Sequence, residues 1–215
     1  MVTNLDILLY KYIFPLLINK THNTMAKKTV LITGGIGAGK TIVANYLSER
    51  YGIPVFYSDD EAKQLYNDPE ILVHTNEIVG GGIISDDGTV NKVALANIIF
   101  NDANKKKQLE DFIHRLVRKR FNEWKDKQSS PIVFMESALA LKRGRKEFDY
   151  VVLVDAPESV RLERAMKRDK ASKDKISQRM KSQEFDLSLV DFIIDNEIDF
   201  HESADKCVEE LCKLF

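Results

Sequence analysis

Cysteine is scarce in this sequence: Cys207 and Cys212 are the only two among 215 residues. Five positions apart on one predicted helix, they point in different directions and make no metal or redox motif. Cys212 fits the apolar stripe Ala204, Val208, Leu211 and Phe215, which reads as core. The four histidines, His22, His74, His114 and His201, are too scattered for a metal site. A reducing cytoplasm is the expected location. Excess charge is also missing: the net charge of −1 gives no global field for nucleic acid or an anionic membrane surface, so neither partner is expected. Long apolar runs are absent too. Residues 5–18, LDILLYKYIFPLLI, fall short of the ~20 residues a span needs, and Asp6, Lys11 and Pro15 interrupt them. No positive charge precedes this stretch and no small-residue cleavage site follows it, which excludes a secretory signal. Met25-Ala26-Lys27-Lys28 runs directly into the first predicted strand. Residues 1–24 are therefore expected to be an upstream extension outside the fold, with 25–215 forming the domain. The runner-up is a genuine N-terminal helix packed on the surface. There are no repeats or low-complexity tracts.

Hydrophobic content of 44% is enough for a substantial core in one domain with inserted pieces. The most informative stretch is Thr33-Gly34-Gly35-Ile36-Gly37-Ala38-Gly39-Lys40-Thr41, which satisfies G-x-x-x-x-G-K-[ST] from Gly34 to Thr41. Thr29-Val30-Leu31-Ile32 before it has the length of a buried parallel strand. After it, Ile42, Val43, Tyr46, Leu47 and Tyr51 recur at helical spacing, and Gly52 is placed to stop the helix. Strand, glycine-rich turn and helix together form a phosphate-binding loop. Backbone N–H groups of Gly35, Gly37, Ala38 and Gly39 can close around phosphate oxygens, and the helix presents its positive end. Lys40 can reach the outer phosphates, and the Thr41 hydroxyl can bind Mg²⁺. The expected ligand is a nucleoside triphosphate.

Further strand-length runs are Val55-Phe56-Tyr57, Ile132-Val133-Phe134-Met135, Val151-Val152-Leu153-Val154 and Phe192-Ile193-Ile194. Helical patterns separate them, the rhythm of a doubly wound α/β sheet. Two gaps break it. Residues 60–128 hold turn signals at Gly80-Gly81-Gly82 and Asp86-Asp87-Gly88, then a stripe of Leu109, Phe112, Ile113, Leu116, Val117 and Phe121. This is too long for a loop and reads as an inserted helical subdomain. Residues 158–185 are basic, with nine Lys or Arg against four Asp or Glu between Arg161 and Glu184, and read as a lid. A solvated helix face accounts for most of the lysines there. The expected architecture is a P-loop NTPase fold: a parallel five-stranded sheet flanked by helices, with helical insertion and lid.

A GTPase would need N-K-x-D, but the Asn-Lys pairs at Asn19, Asn91 and Asn104 carry His22, Ala94 and Lys107 where Asp is required. A motor ATPase would usually end an apolar strand in Asp-Glu. Here the third strand ends Met135-Glu136-Ser137 and the fourth Val154-Asp155-Ala156. The small chain, helical insertion and basic lid favour a small-molecule kinase. Such an enzyme surrounds the transferring phosphoryl with cations and orients the acceptor hydroxyl with a carboxylate. Asp59, after the second strand, is the candidate base, and Asp60 is as well suited to cap a helix. Arg164 and Arg168, four apart, share a helix face and suit a triphosphate clamp.

These residues resemble the dephospho-coenzyme A kinase family. Its T-G-G-I-G-[SA]-G-K-[ST] is matched at Thr33–Thr41, and D-A-D-x-x-A-[RK] by Asp59-Asp60-Glu61-Ala62-Lys63 with Ser58 in place of Ala. Asp87-Gly88-Thr89-Val90, Leu95-Ala96-Asn97-Ile98-Ile99-Phe100, Leu109-Glu110 with Ile113-His114, and Arg179-Met180-Lys181-Ser182-Gln183 follow in the family's order, with Asp191 and Asn196. The resemblance spans residues 29–215. It implies transfer of the ATP γ-phosphoryl to the ribose 3′-hydroxyl of dephospho-coenzyme A, with Mg²⁺. Asp59 carries over as base, Gly37–Ile42, Ile42 included, as the phosphate site, and Arg164 and Arg168 as lid cations; residues 60–128 would receive the acceptor. His114 could touch substrate, although a structural hydrogen bond suits it better. Tyr57, Asn91, Arg115 and Lys142 depart from the family's Asp, Arg or Lys, Pro and Glu. Alternatives are another small-molecule or nucleotide kinase and, less in keeping with intact Lys40, Thr41 and Asp59, a binding module without turnover. A monomer or weak homo-oligomer is expected.

Overall fold

The computed structural model describes residues 27–181, 183 and 186–214, without the side chains of Lys142 and Arg143. The expected extension 1–24, Met25, Ser182, Glu184, Phe185 and Phe215 lie outside the described residues. In chain order the elements are β1 (Lys28–Thr33), α1 (Lys40–Tyr51), β2 (Val55–Tyr57), α2 (Ser58–Leu65), α3 (Pro69–Val79), α4 (Lys92–Asn101) and α5 (Ala103–Asp126). They continue with β3 (Ile132–Glu136), β4 (Tyr150–Asp155), α6 (Glu158–Asp169), α7 (Lys173–Lys181), β5 (Phe192–Asp195) and α8 (His201–Cys212). Short 3₁₀ turns occupy Ala140–Arg143 and Leu187–Leu189. The chain divides into two compact units, one joining residues up to Phe56 with those from Gln128 onward, the other Tyr57–Lys127.

The sheet has the order β2-β3-β1-β4-β5. β1 runs parallel to β3 and β4, with Val30 opposite Phe134 and Leu31 opposite Val151, and β4 runs parallel to β5. Central strands of such a sheet are covered on both faces, and β1 is buried from Thr29 to Thr33, β3 throughout. β5, at the edge, buries Ile194 and exposes Ile193. This is the parallel sheet that the apolar runs predict.

In the first unit α1 buries Val43, Ala44, Leu47 and Tyr51 and stops where Gly52, at φ 67°, donates its N–H to Ser48 O. Ile42 does not join that face; it is 62% exposed, because Val43 and Ala44 already occupy the buried stripe. On α8 the buried stripe is Ala204, Cys207, Val208 and Leu211. The core cysteine is thus Cys207 rather than Cys212, which is only half-buried, since one step beyond Leu211 turns it about 100° from the stripe. Burial pushes both thiols up to about 12. A polar strut joins α1 to α8: the hydroxyls of Tyr46 and Tyr51 both donate to Asp205 Oδ1 at 2.6 Å, and Arg50 Nη2 lies 3.1 Å from Asp205 Oδ2. Burial, and then the carboxylate, raises both phenol pKa values well above the usual 10.

The second unit has a core of its own, Leu72, Val79, Ile83, Leu95 and Leu109, with Ile99 and Ile113 against it. Three of its helices, α3, α4 and α5, start on side-chain caps. Asp68 accepts from Glu70 N and Ile71 N ahead of Pro69, Asn91 accepts from Ala94 N at 3.0 Å, and Asp102 accepts from Asn104 N and Lys105 N. Capping α4 is the use this chain makes of Asn91. Gly80 ends α3, and the turn at Asp87-Gly88 is closed by an antiparallel bridge between Ile84 and Val90. Trp124 stacks on Phe121 with ring centroids 6.0 Å apart. Asp60 does not cap α2. The helix begins at Ser58, which puts Asp59 and Asp60 together in its first turn, where both complement the dipole.

Candidate active site

The turn between β1 and α1 must bring several N–H groups to one side, and only residues free to take positive φ can do so closely. Gly37 has φ 79°, and a Cβ there would lie 2.1 Å from the main-chain oxygen of Arg161. The space is closed to any side chain because α6 runs directly behind the loop. Ala38 N donates to Gly35 O at 3.1 Å, tightening the turn. Lys40, first residue of α1, bends its ammonium back over the loop, donating to Gly34 O at 3.0 Å and Gly35 O at 3.2 Å. Thr41 and Ile42 follow in the first turn of α1, both exposed. The loop therefore offers backbone donors, a helix N-terminus and one ammonium on a single anion site, with a hydroxyl beside it.

The basic stretch is moored to this loop. Ile36 is buried against Ala165, Ile176 and Met180, so α6 and α7 share one small core with the loop's own side chain. Ile36 N donates to Gln183 Oε1 at 2.7 Å. Arg164 Nη1 and Nη2 donate to the carbonyls of Asn196 and Glu197 at 2.7 and 3.0 Å. Arg168, one turn on, pairs with Asp169 at 2.7 Å, and Arg179 of α7 meets the other oxygen of Asp169 at 2.7 Å. The hydrogen bond from Arg168 leads in holding the Asp169 carboxyl down at about 2, so it stays a carboxylate across the physiological range.

Arg161 packs directly against the loop at Gly35 and Gly37, and sequence reasoning missed it. Its Nε donates to Ala156 O at 2.9 Å, and its Nη1 would lie 2.1 Å from a Cβ on Gly35. The signal was its position three residues before Arg164, which puts both on one face of α6. Glu136 ends β3 opposite Ile32, at the sheet edge where the loop begins, and is 5% exposed. Among the described residues no group of three His, Cys, Asp or Glu could hold a metal by itself. Asp59 belongs to the second unit, exposed in the first turn of α2.

A family model described as dephospho-CoA kinase matches residues 14–202. A dephospho-CoA kinase of Bacteroides fragilis is 40% identical over 155 residues, 71% of this chain and 75% of that one. The chain belongs to the dephospho-CoA kinase family. Two solved structures share the fold. A Thermus thermophilus protein has a TM-score of 0.77 at 25% identity, covering 89% of this chain and 99% of its own. A dephospho-CoA kinase from Campylobacter jejuni has a TM-score of 0.60 at 25% identity, covering 86% and 96%. The match to the dephospho-CoA kinase model begins at residue 14, inside the stretch read as an extension. No described helix is long and apolar enough to cross a membrane.

Proposed function

We propose that this chain transfers the γ-phosphoryl group of ATP to the ribose 3′-hydroxyl of dephospho-coenzyme A. The observation that carries the reading is the phosphate loop of a dephospho-CoA kinase family member with its lysine intact and held over the loop by Gly34 O and Gly35 O. The loop amides and the α1 N-terminus bind the phosphates, and the Lys40 ammonium offsets charge on the outer phosphoryl oxygens as it builds toward the transition state. Arg161, Arg164 and Arg168 supply further cations from α6. Arg168 is held by a carboxylate that triphosphate can replace. Lid closure over the loop excludes water, which keeps ATP from hydrolysis and strengthens each of these attractions.

Asp59 accepts the proton of the attacking hydroxyl and orients it, and the helical unit Tyr57–Lys127 receives the acceptor. Oxygen donors suit Mg²⁺, and the exposed Thr41 hydroxyl at the start of α1 fits that requirement. Thr41 would hold Mg²⁺ brought in with the triphosphate, and the ion would supply positive charge against the phosphate oxygens.

The test is direct. Purified protein given ATP, Mg²⁺ and dephospho-coenzyme A should form coenzyme A and ADP in equal amounts. ADP release with other alcohol acceptors but none with dephospho-coenzyme A would overturn the assignment.

A further inference from the structure

Three hydrogen bonds from different parts of the first unit meet on Asn196, the residue that follows β5 and is 6% exposed. Its main-chain N–H donates to Asp155 O at the end of β4 at 2.8 Å. Its main-chain oxygen accepts from Arg164 Nη1 at 2.7 Å. Its side-chain Nδ2 donates to Ala38 O, inside the phosphate loop, at 2.7 Å. The same Nδ2 would lie 2.2 Å from a Cβ on Gly39, so that glycine is required by the side chain of Asn196 as well as by its own φ of 92°.

The Ala38–Gly39 peptide is planar and trans, so its C=O and N–H point in opposite directions. Pulling Ala38 O toward Asn196 turns the Gly39 N–H the other way, to the side on which the loop collects its donors. Ala38 is fully buried, and its carbonyl would otherwise be out of reach of water. We propose that Asn196 is a positioning residue for phosphate binding: it locks the Ala38–Gly39 peptide so that Gly39 N–H faces the ATP phosphates, and it ties that peptide to Arg164 of the lid. The side chain must be a donor of this length. An aspartate would set a carboxylate against a carbonyl, and alanine would leave Ala38 O unpaired.

The proposal rests on the loop being the ATP site, so ATP binding by the wild-type chain is measured first by calorimetry. Asn196→Ala should then weaken ATP binding about tenfold or more, and raise KM for ATP while KM for dephospho-coenzyme A at saturating ATP stays within about twofold. Asn196→Asp should be impaired at about pH 8 and recover toward wild type as the pH falls toward about 5.5, because the protonated carboxyl regains a donor for Ala38 O. A merely structural role would lower the melting temperature of both variants without this relative recovery. ATP affinities within twofold of wild type in both variants, or no pH-dependent gain for Asn196→Asp, would overturn the role. If Asn196→Ala does not fold, the near-isosteric Asn196→Asp comparison decides alone. A wild-type chain that binds no ATP would overturn both the reading of the loop and this inference.

Discussion

Lys40 starts a helix, bends over the loop and rests on two carbonyls, so the catalytic role proposed for it asks little of its packing. Lys40→Ala should therefore cut kcat/KM about 10²–10³-fold, the scale for removing one preorganised donor, and leave the circular dichroism spectrum unchanged. Wild-type turnover in the variant would refute the phosphate-loop reading. Asp59→Asn should lower kcat about 10²–10⁴-fold with KM for ATP little changed; a defect confined to ATP binding would give Asp59 another role. Some site residues were legible in the sequence because their chemistry depends on neighbours in the chain. Gly34 to Thr41 is such a case. Arg161 was not, and Asn196 was legible only as a family match without a contact, since one acquires its place from the path of α6 behind the loop and the other from the sheet order that brings the end of β5 beside it. Cys207 and Cys212 show the same limit on a smaller scale. Both fit an apolar helix, and only the packed face of α8 decides which one is core.

At the level of elements, all five strands could be read from uninterrupted apolar runs, a consequence of a sheet covered on both faces. Helix starts were harder, because Asp59 and Asp60 suit both a cap and a first turn, and the hydrogen bonds of α2 choose the second. The lid helices should tighten on nucleotide. Amides of α6 and α7 should exchange more slowly when a nonhydrolysable ATP analogue is added, as triphosphate joins cations now held by Asp169 and by main-chain carbonyls. Equal exchange with and without the analogue would argue against a lid. The α1–α8 strut makes a pH prediction. Tyr46 and Tyr51 are neutral in the fold to well above pH 10, whereas in the unfolded chain they ionise near 10. Their contribution is complete below about pH 10 and falls as pH rises beyond it, because the unfolded state then gains by ionising. The melting temperature should drop over that alkaline range, and the drop should be shallower in Tyr46→Phe/Tyr51→Phe.

At the scale of the whole molecule, the proposed chemistry is divided: the phosphate loop and the basic helices belong to one compact unit, and Asp59 and the helices proposed to receive the acceptor belong to the other. Each has its own apolar core, so ATP should stabilise the first unit more than the second by mass action. In thermal melts with saturating ATP, circular dichroism should show two steps, with intrinsic fluorescence following the lower one. A single coincident transition would mean that the units melt together. Fluorescence can distinguish them because the chain has a single tryptophan, Trp124, stacked on Phe121 in the Tyr57–Lys127 unit. The chain's one indole lamp thus stands in the helical unit alone. Its emission, without any attached dye, should report the unfolding of the helical unit by itself, whatever the far-ultraviolet signal of the whole chain is doing.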